Sequence, residues 1–208
     1  MNLAATMATF FVSYAFLIVA MTIHEFSHGF VAYKLGDMTA KYSGRLTLNP
    51  LAHIDPFWTL LLPLMLYYSS QGQFTFGAAK PVPVDYSQLK NPKRDMVWIG
   101  LSGPLSNLIL ALILSIVLRL VTNNLAGLAI AQLIIINVVL AVFNLLPIPP
   151  LDGSRVLMGI LPRRLAQRYA VIEPFSFIIL IIMVALGLFQ AIVWPRVVAI
   201  LKVLGISF

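Results

Sequence analysis

The 208-residue chain contains no cysteine, which excludes disulfides and every thiolate metal site. Acids are scarce too, with 7 Asp and Glu against 14 Lys and Arg, and there are only 3 histidines. Charged residues make up 10% of the sequence, whereas soluble domains carry about 25%. In their place is an apolar excess: 60% hydrophobic residues and a mean hydropathy of +0.94. A water-soluble fold of this length still exposes much of its chain, so it could not hide that much apolar surface. Disorder and collagen are excluded with it. The formal net charge of +7 does not mark a nucleic-acid binder, because the basic residues sit between apolar blocks and not along one face. The composition is that of an integral membrane protein.

A membrane-crossing helix needs roughly 20 mostly apolar residues. Four stretches qualify: Leu3 to Tyr33, Met96 to Leu120, Ala126 to Leu146 and Phe175 to Trp194. The first does not read as a cleaved leader, since it lacks basic residues at its start and carries His24, Glu25 and His28 inside the apolar run. Basic residues gather after span one (Lys34, Lys41, Arg45), before span two (Lys90, Lys93, Arg94) and after span three (Arg155, Arg163, Arg164, Arg168). The positive-inside bias places these loops in the cytoplasm, against Arg119, Arg196 and Lys202.

The segment Phe57 to Asp85 then has both flanks on one side. Phe57 to Tyr68 is too short to cross, and Gln73 to Val84 is rich in Gly, Pro and β-branched residues. The pair reads as a re-entrant element, a short helix followed by an extended return, which needs protein or a wet cavity to satisfy its backbone. Tyr42 to Leu48 alternates like a strand, so a small sheet near the cytoplasmic face is expected. The apolar tail Val197 to Phe208 is expected at the membrane interface. No repeat or linker divides the chain, which reads as one domain over 1–208. The fold class is all-α and polytopic, with four to five transmembrane helices plus the re-entrant helix/β element.

The chemistry sits in span one. His24-Glu25-Phe26-Ser27-His28 fits H-E-x-x-H. On a helix, positions four apart share a face, so both imidazoles reach one ion, with Glu25 beside them to take a proton from water. Ionisable groups inside an apolar span each cost about 2.5–3.5 kcal/mol on insertion scales, and a bound dication would offset three of them. A packed, metal-free cluster lining an ion path is the competing reading.

Catalytic zinc sites use three protein ligands and one open position. Asp37, Asp55, Asp85 and Asp95 read as surface or turn acids, and Glu173 as a helix-end acid. Asp152 differs: it closes Asn144-Leu145-Leu146-Pro147-Ile148-Pro149-Pro150-Leu151-Asp152-Gly153 at the cytoplasmic end of span three, where prolines break the helix. It is the first candidate for the third ligand, against a turn or helix-cap role.

Together these pieces resemble the site-2 protease family of zinc intramembrane metalloproteases. The resemblance runs from about Phe16 to Leu157 and rests on His24 to His28, on Gly103-Pro104-Leu105-Ser106-Asn107, and on Asn144 to Gly153. It implies His24, His28 and Asp152 as Zn2+ ligands, Glu25 as the base, and Asn144 as a residue that binds substrate. Ser27 departs from the Gly that many members carry there, at a variable position of the motif. The chain has no room for the PDZ or CBS domain of some members, so a short form is expected.

Several residues keep two readings. Asn144 either polarises the substrate or bonds a neighbouring helix, whereas Asn137 reads as an interhelical bond. His53 either assists at the cavity or packs against its loop. The segment from Gly77 to Val84 either pairs with an extended substrate or plugs the cavity. Gly103-Pro104 either permits close packing or shapes the start of a span. The expected function is hydrolysis of a peptide bond in or near a transmembrane helix of another membrane protein, in the cell membrane, with the site toward the cytoplasm. The alternative is an ion or metal transporter, disfavoured because no inverted repeat is visible. Partners are that substrate and the bilayer, with no nucleic acid; nothing in the sequence sets an oligomeric state.

Overall fold

The computed structural model describes residues 3–69 and 77–206. Helix α1 (Leu3–Leu35) is 33 residues long, about 50 Å at 1.5 Å per residue. It stops where Gly36 takes a φ of +112°, a left-handed conformation open to glycine. Just before α2 (Thr39–Tyr42), Asp37 accepts from the Thr39 amide at 2.8 Å. Asp55 accepts from the Phe57 and Trp58 amides, starting a helical run from Pro56 that continues as α3 (Leu62–Ser69). Helices α4 (Pro92–Leu118) and α5 (Asn124–Asn144) form an antiparallel pair joined by a short turn, with the Asn123 side chain capping α5. The chain continues through α6 (Asp152–Ile160), α7 (Arg163–Ala170), α8 (Ser176–Ala185) and α9 (Trp194–Val203).

Four helical segments are long and apolar enough to cross a membrane: Thr9–Leu35, Pro92–Leu118, Asn124–Asn144 and Arg163–Ala185. Between lipid-facing helices there is little hydrophobic drive, so close approach through small residues and buried polar bonds must hold the bundle. Ala20, Ala32, Ala111 and Ala141 are fully buried, as are Asn107 and Asn137. The amide of Asn107 on α4 donates to Asn137 on α5 at 2.8 Å and to the Ala20 carbonyl of α1 at 3.2 Å. One pair of side chains thus ties three helices together.

The expected strands are absent among the described residues. Tyr42 closes α2, and Gly44, with a φ of +68°, turns the chain away from an extended path. Arg45 sends its guanidinium to the carbonyls of Ala52 and Lys80, not into a ladder. The chain is helical over 56–69, where a short helix was expected. Its return is extended from 77 to 85, while the earlier part, from Gln73, lies outside the described residues. This return pairs with no strand. Its amides bind loops and side chains instead: Ala78 to the Trp58 carbonyl, Lys80 to that of His53, Val82 to Glu25, and Asp85 to Asp37.

The C-terminal expectation also changes. The helix that starts at Ser176 ends at Ala185, and Gly187 (φ +69°) redirects the chain. Phe189 then meets Phe143 at one end of α5, and Gly205 lies against Arg119 beyond its other end. The segment 189–204 therefore runs antiparallel along α5. Val193, Val197 and Leu201, four residues apart, are fully buried against Ala111, Ile134 and Val138. One face of the tail, through Val197 and Leu201, is therefore core, while Lys202 and Val203 stay exposed.

Candidate metal centre

Helix α1 places the two imidazoles one turn apart, with ring centroids separated by 4.7 Å. Both Nε2 atoms face Asp152: His24 Nε2 is 2.9 Å from Oδ2 and His28 Nε2 is 3.2 Å from Oδ1. The donor atoms of all three residues lie within 4.8 Å of one another. Tetrahedral zinc at about 2.0–2.2 Å from each donor holds its ligands roughly 3.4 Å apart, so the cluster is of the right size.

The other ring nitrogens supply a separate test of fit. His24 Nδ1 lies 2.6 Å from Asn107 Oδ1, and His28 Nδ1 lies 2.7 Å from the Ile99 carbonyl. The amide nitrogen of Asn107 is already committed to two acceptors, which leaves its oxygen to face His24. Both partners can only accept, so each Nδ1 carries the proton and donates. Each neutral imidazole then keeps its Nε2 lone pair for the centre, the usual arrangement around a metal-ligating histidine. Gly103 of α4 fits as well. A Cβ there would sit 2.5 Å from His28 Nε2 and 2.6 Å from His24 Nε2, in space that the donors need clear.

Asp152 is delivered by the turn after α5. Pro147, Pro149 and Pro150 keep the chain from continuing as helix, and α6 starts at Asp152 itself. Gly153 lets the turn close, because a Cβ there would run into the carbonyls of Leu145 and Leu146. The start of α6 then packs on α4 at Gly100, whose missing side chain admits the Asp152 backbone.

A cavity of about 300 Å³ opens on this cluster and is lined by His24, Glu25, His28, Asn144 and Asp152 together. All five residues singled out in the sequence therefore converge. Glu25 accepts from the Val82 amide at 2.8 Å, which fixes its carboxylate against the extended segment. Asn144 donates to the Leu140 carbonyl of its own helix at 2.9 Å. The same wall includes Tyr86 and Arg155, which the sequence did not single out; Arg155 is paired with Glu173 at 2.6 Å.

His53 takes the second of its two readings and packs against its loop, whereas the surface reading of Asp37 and Asp95 does not hold. His53 is buried away from the cavity lining and donates through Nε2 to the Thr47 carbonyl at 2.9 Å. Asp37 and Asp95 are buried, not surface acids. Asp37 joins Thr39 to the Asp85 amide, and Asp95 accepts from the Asn91 amide. Asn107 was quoted only as the end of a motif. An amide four residues after a glycine in an apolar span was the available signal, but its target was not legible.

Residues 119–189 match the sequence profile described as Peptidase family M50. YwhC of Bacillus subtilis, provisionally named a zinc metalloprotease, is 39% identical over 189 residues, covering 86% of this chain and 82% of its own length. Rip2 of Mycobacterium tuberculosis, under the same provisional designation, is 32% identical over 80% of this chain and 63% of its own length. A zinc metalloprotease of Methanocaldococcus jannaschii is 29% identical over 74% of this chain and 35% of its own length. No solved structure matches the chain.

Proposed function

The chain belongs to peptidase family M50, the site-2 protease family, and from that premise we propose that it cleaves a peptide bond in or beside a transmembrane helix of another membrane protein. The observation that carries this reading is the set of two Nε2 lone pairs and one carboxylate facing a common point, with both Nδ1 atoms anchored elsewhere. His24, His28 and Asp152 hold the zinc ion in this reading. When bound there, zinc supplies Lewis-acid polarisation of a carbonyl and makes water acidic near neutral pH.

The protein's own groups do the rest. Glu25 takes a proton from the attacking water and hands one to the leaving amine, with the Val82 amide keeping its carboxylate oriented. Asn144 contacts the substrate backbone near the scissile bond. The extended segment forms one wall of the cavity through Pro81, Val82 and Val84, and in this reading water enters from the cytoplasmic side. The whole chain, 1–208, acts as one proteolytic domain in the cell membrane. Among the described residues no second group of three such donors exists through which a cation could be relayed, so transport is not favoured.

The deciding experiment compares wild type with Glu25→Gln, scoring bound zinc and cleavage of single-span helices side by side. Loss of cleavage with zinc retained supports the assignment; cleavage at the wild-type rate removes Glu25 as the base.

A further inference from the structure

A second cavity, of about 380 Å³, opens where the end of α1 meets the start of α4. Lys34 comes from the last turn of α1, Lys90 from the loop before α4, and Arg94 from the first turn of α4. The acid on this wall is Asp95, which is buried and already accepts the Asn91 amide. None of the three cations forms an ion pair among the described residues. The Lys34 ammonium lies over the Phe30 ring at 5.3 Å, which engages no carboxylate. Asn91 makes no side-chain cap, so the positive end of a 27-residue helix dipole adds to the same field. Three exposed cations without an ion-pair partner among the described residues make this concavity favourable for an anion.

The surroundings indicate which anion. Trp98, on the same wall, is 50% exposed, and indole rings favour the headgroup level of a bilayer. From Trp98 an exposed apolar ridge runs down α4 through Leu105, Ile109, Leu112 and Ile116. The spacing of seven, four, three and four places these residues on one helical face. On a membrane-crossing helix this ridge faces acyl chains, and a soluble phosphate would use the cations alone. A two-chain lipid would use both.

We propose that this pocket binds the phosphate headgroup of an anionic phospholipid whose acyl chains lie along the exposed face of α4. The headgroup would bridge the ends of the two helices that carry His24, His28, Gly103 and Asn107, with Arg94 five residues from the Ile99 carbonyl that holds His28.

The test uses full-length protein in which Trp98 is the only tryptophan (Trp58→Phe, Trp194→Phe), titrated with bromine-labelled phosphatidylglycerol or phosphatidylcholine. Quenching at lower concentrations of phosphatidylglycerol is expected. Each basic residue near a headgroup adds about fivefold, so Lys34→Gln/Lys90→Gln/Arg94→Gln should weaken phosphatidylglycerol binding roughly a hundredfold. A control that removes equal charge from α7, Arg163→Gln/Arg164→Gln/Arg168→Gln, should keep the preference. Equal quenching by both lipids in the otherwise unaltered protein overturns the proposal without any charge variant. So does equal loss in both triple variants, which would show a general surface field. Displacement of the lipid by inorganic phosphate at the same concentration would assign the pocket to a soluble anion and also overturn it. None of these readouts passes through the metal centre.

Discussion

Asn107 accepts the Nδ1 proton of His24 across the interface between α4 and α1, at 2.6 Å. Its own amide nitrogen is spent on Ala20 and Asn137, so the oxygen has no freedom to turn away. A residue with no direct part in ligation therefore dictates which nitrogen His24 offers. Loss of such an outer partner typically costs 10–100-fold in metal affinity. Asn107→Ala is expected to weaken zinc binding within that range while leaving His24 in place. Zinc competition with a fluorescent chelator measures it, and unchanged affinity would mean that helix packing alone orients the ring.

Gly103 offers a steric test of the same centre. The methyl of Gly103→Ala would fall 2.5–2.6 Å from the Nε2 atoms of both histidines, far inside van der Waals contact. Purified Gly103→Ala should carry little zinc and cleave at most a few per cent as fast as wild type. Gly127→Ala on α5 is the matched control, since its methyl would meet only Leu118 at an ordinary 3.7 Å. Metal content of the two variants separates local obstruction from a general intolerance of alanine in the bundle.

Removal of metal should act through the three converging side chains and no others. A chelator such as 1,10-phenanthroline is expected to abolish cleavage, and added Zn2+ to restore it. Asp152→Ala should lose zinc and not be rescued, because two imidazoles alone leave the third position to solvent. Asp95→Ala removes a more deeply buried acid that faces Asn91 and should keep its zinc. If Asp152→Ala retains full zinc and activity, the third ligand lies elsewhere.

The Val82 amide gives a prediction about rate in place of binding. It donates to Glu25 at 2.8 Å from a segment bounded by two prolines. Val82→Pro removes that donor, while Val82→Ala keeps it and trims only the side chain. We expect kcat to fall about tenfold in the proline variant with zinc content unchanged, in line with the loss of one hydrogen bond to a charged group. A fall of the same size in Val82→Ala would assign the effect to packing against Gly29.

The candidate ligand cluster was legible because its signals are local or combinatorial. Four-residue spacing on a helix fixes the face of His24 and His28, and a chain with only 7 acids leaves few partners for them. What was not legible depends on contacts between distant segments. Nothing in Asn107 names His24, 83 positions away, as its partner. The alternation at Tyr42 to Leu48 promised a strand, but a strand needs a neighbour, and Arg45 instead binds loop carbonyls. Burial of Asp37 was equally hidden, because it follows from the return of the chain at Asp85.

The tail shows the same limit and yields the last prediction. Val197 to Phe208 reads in sequence as an apolar tail for the membrane interface, since hydropathy cannot distinguish a lipid neighbour from a protein one. In the fold Leu201 is 0% exposed and packs with Ile134 and Val138, whereas Val203 is 84% exposed. Truncating a fully enclosed leucine leaves a cavity, and such changes cost about 2–5 kcal/mol. Leu201→Ala should therefore lower the unfolding midpoint of the purified protein clearly, and Val203→Ala hardly at all. Because the residue lies on α5's partner and away from the metal cavity, zinc bound per folded molecule should stay at the wild-type level. Equal midpoints for Leu201→Ala and wild type would return the tail to the membrane surface and remove the 189–204 helix from the core of the bundle.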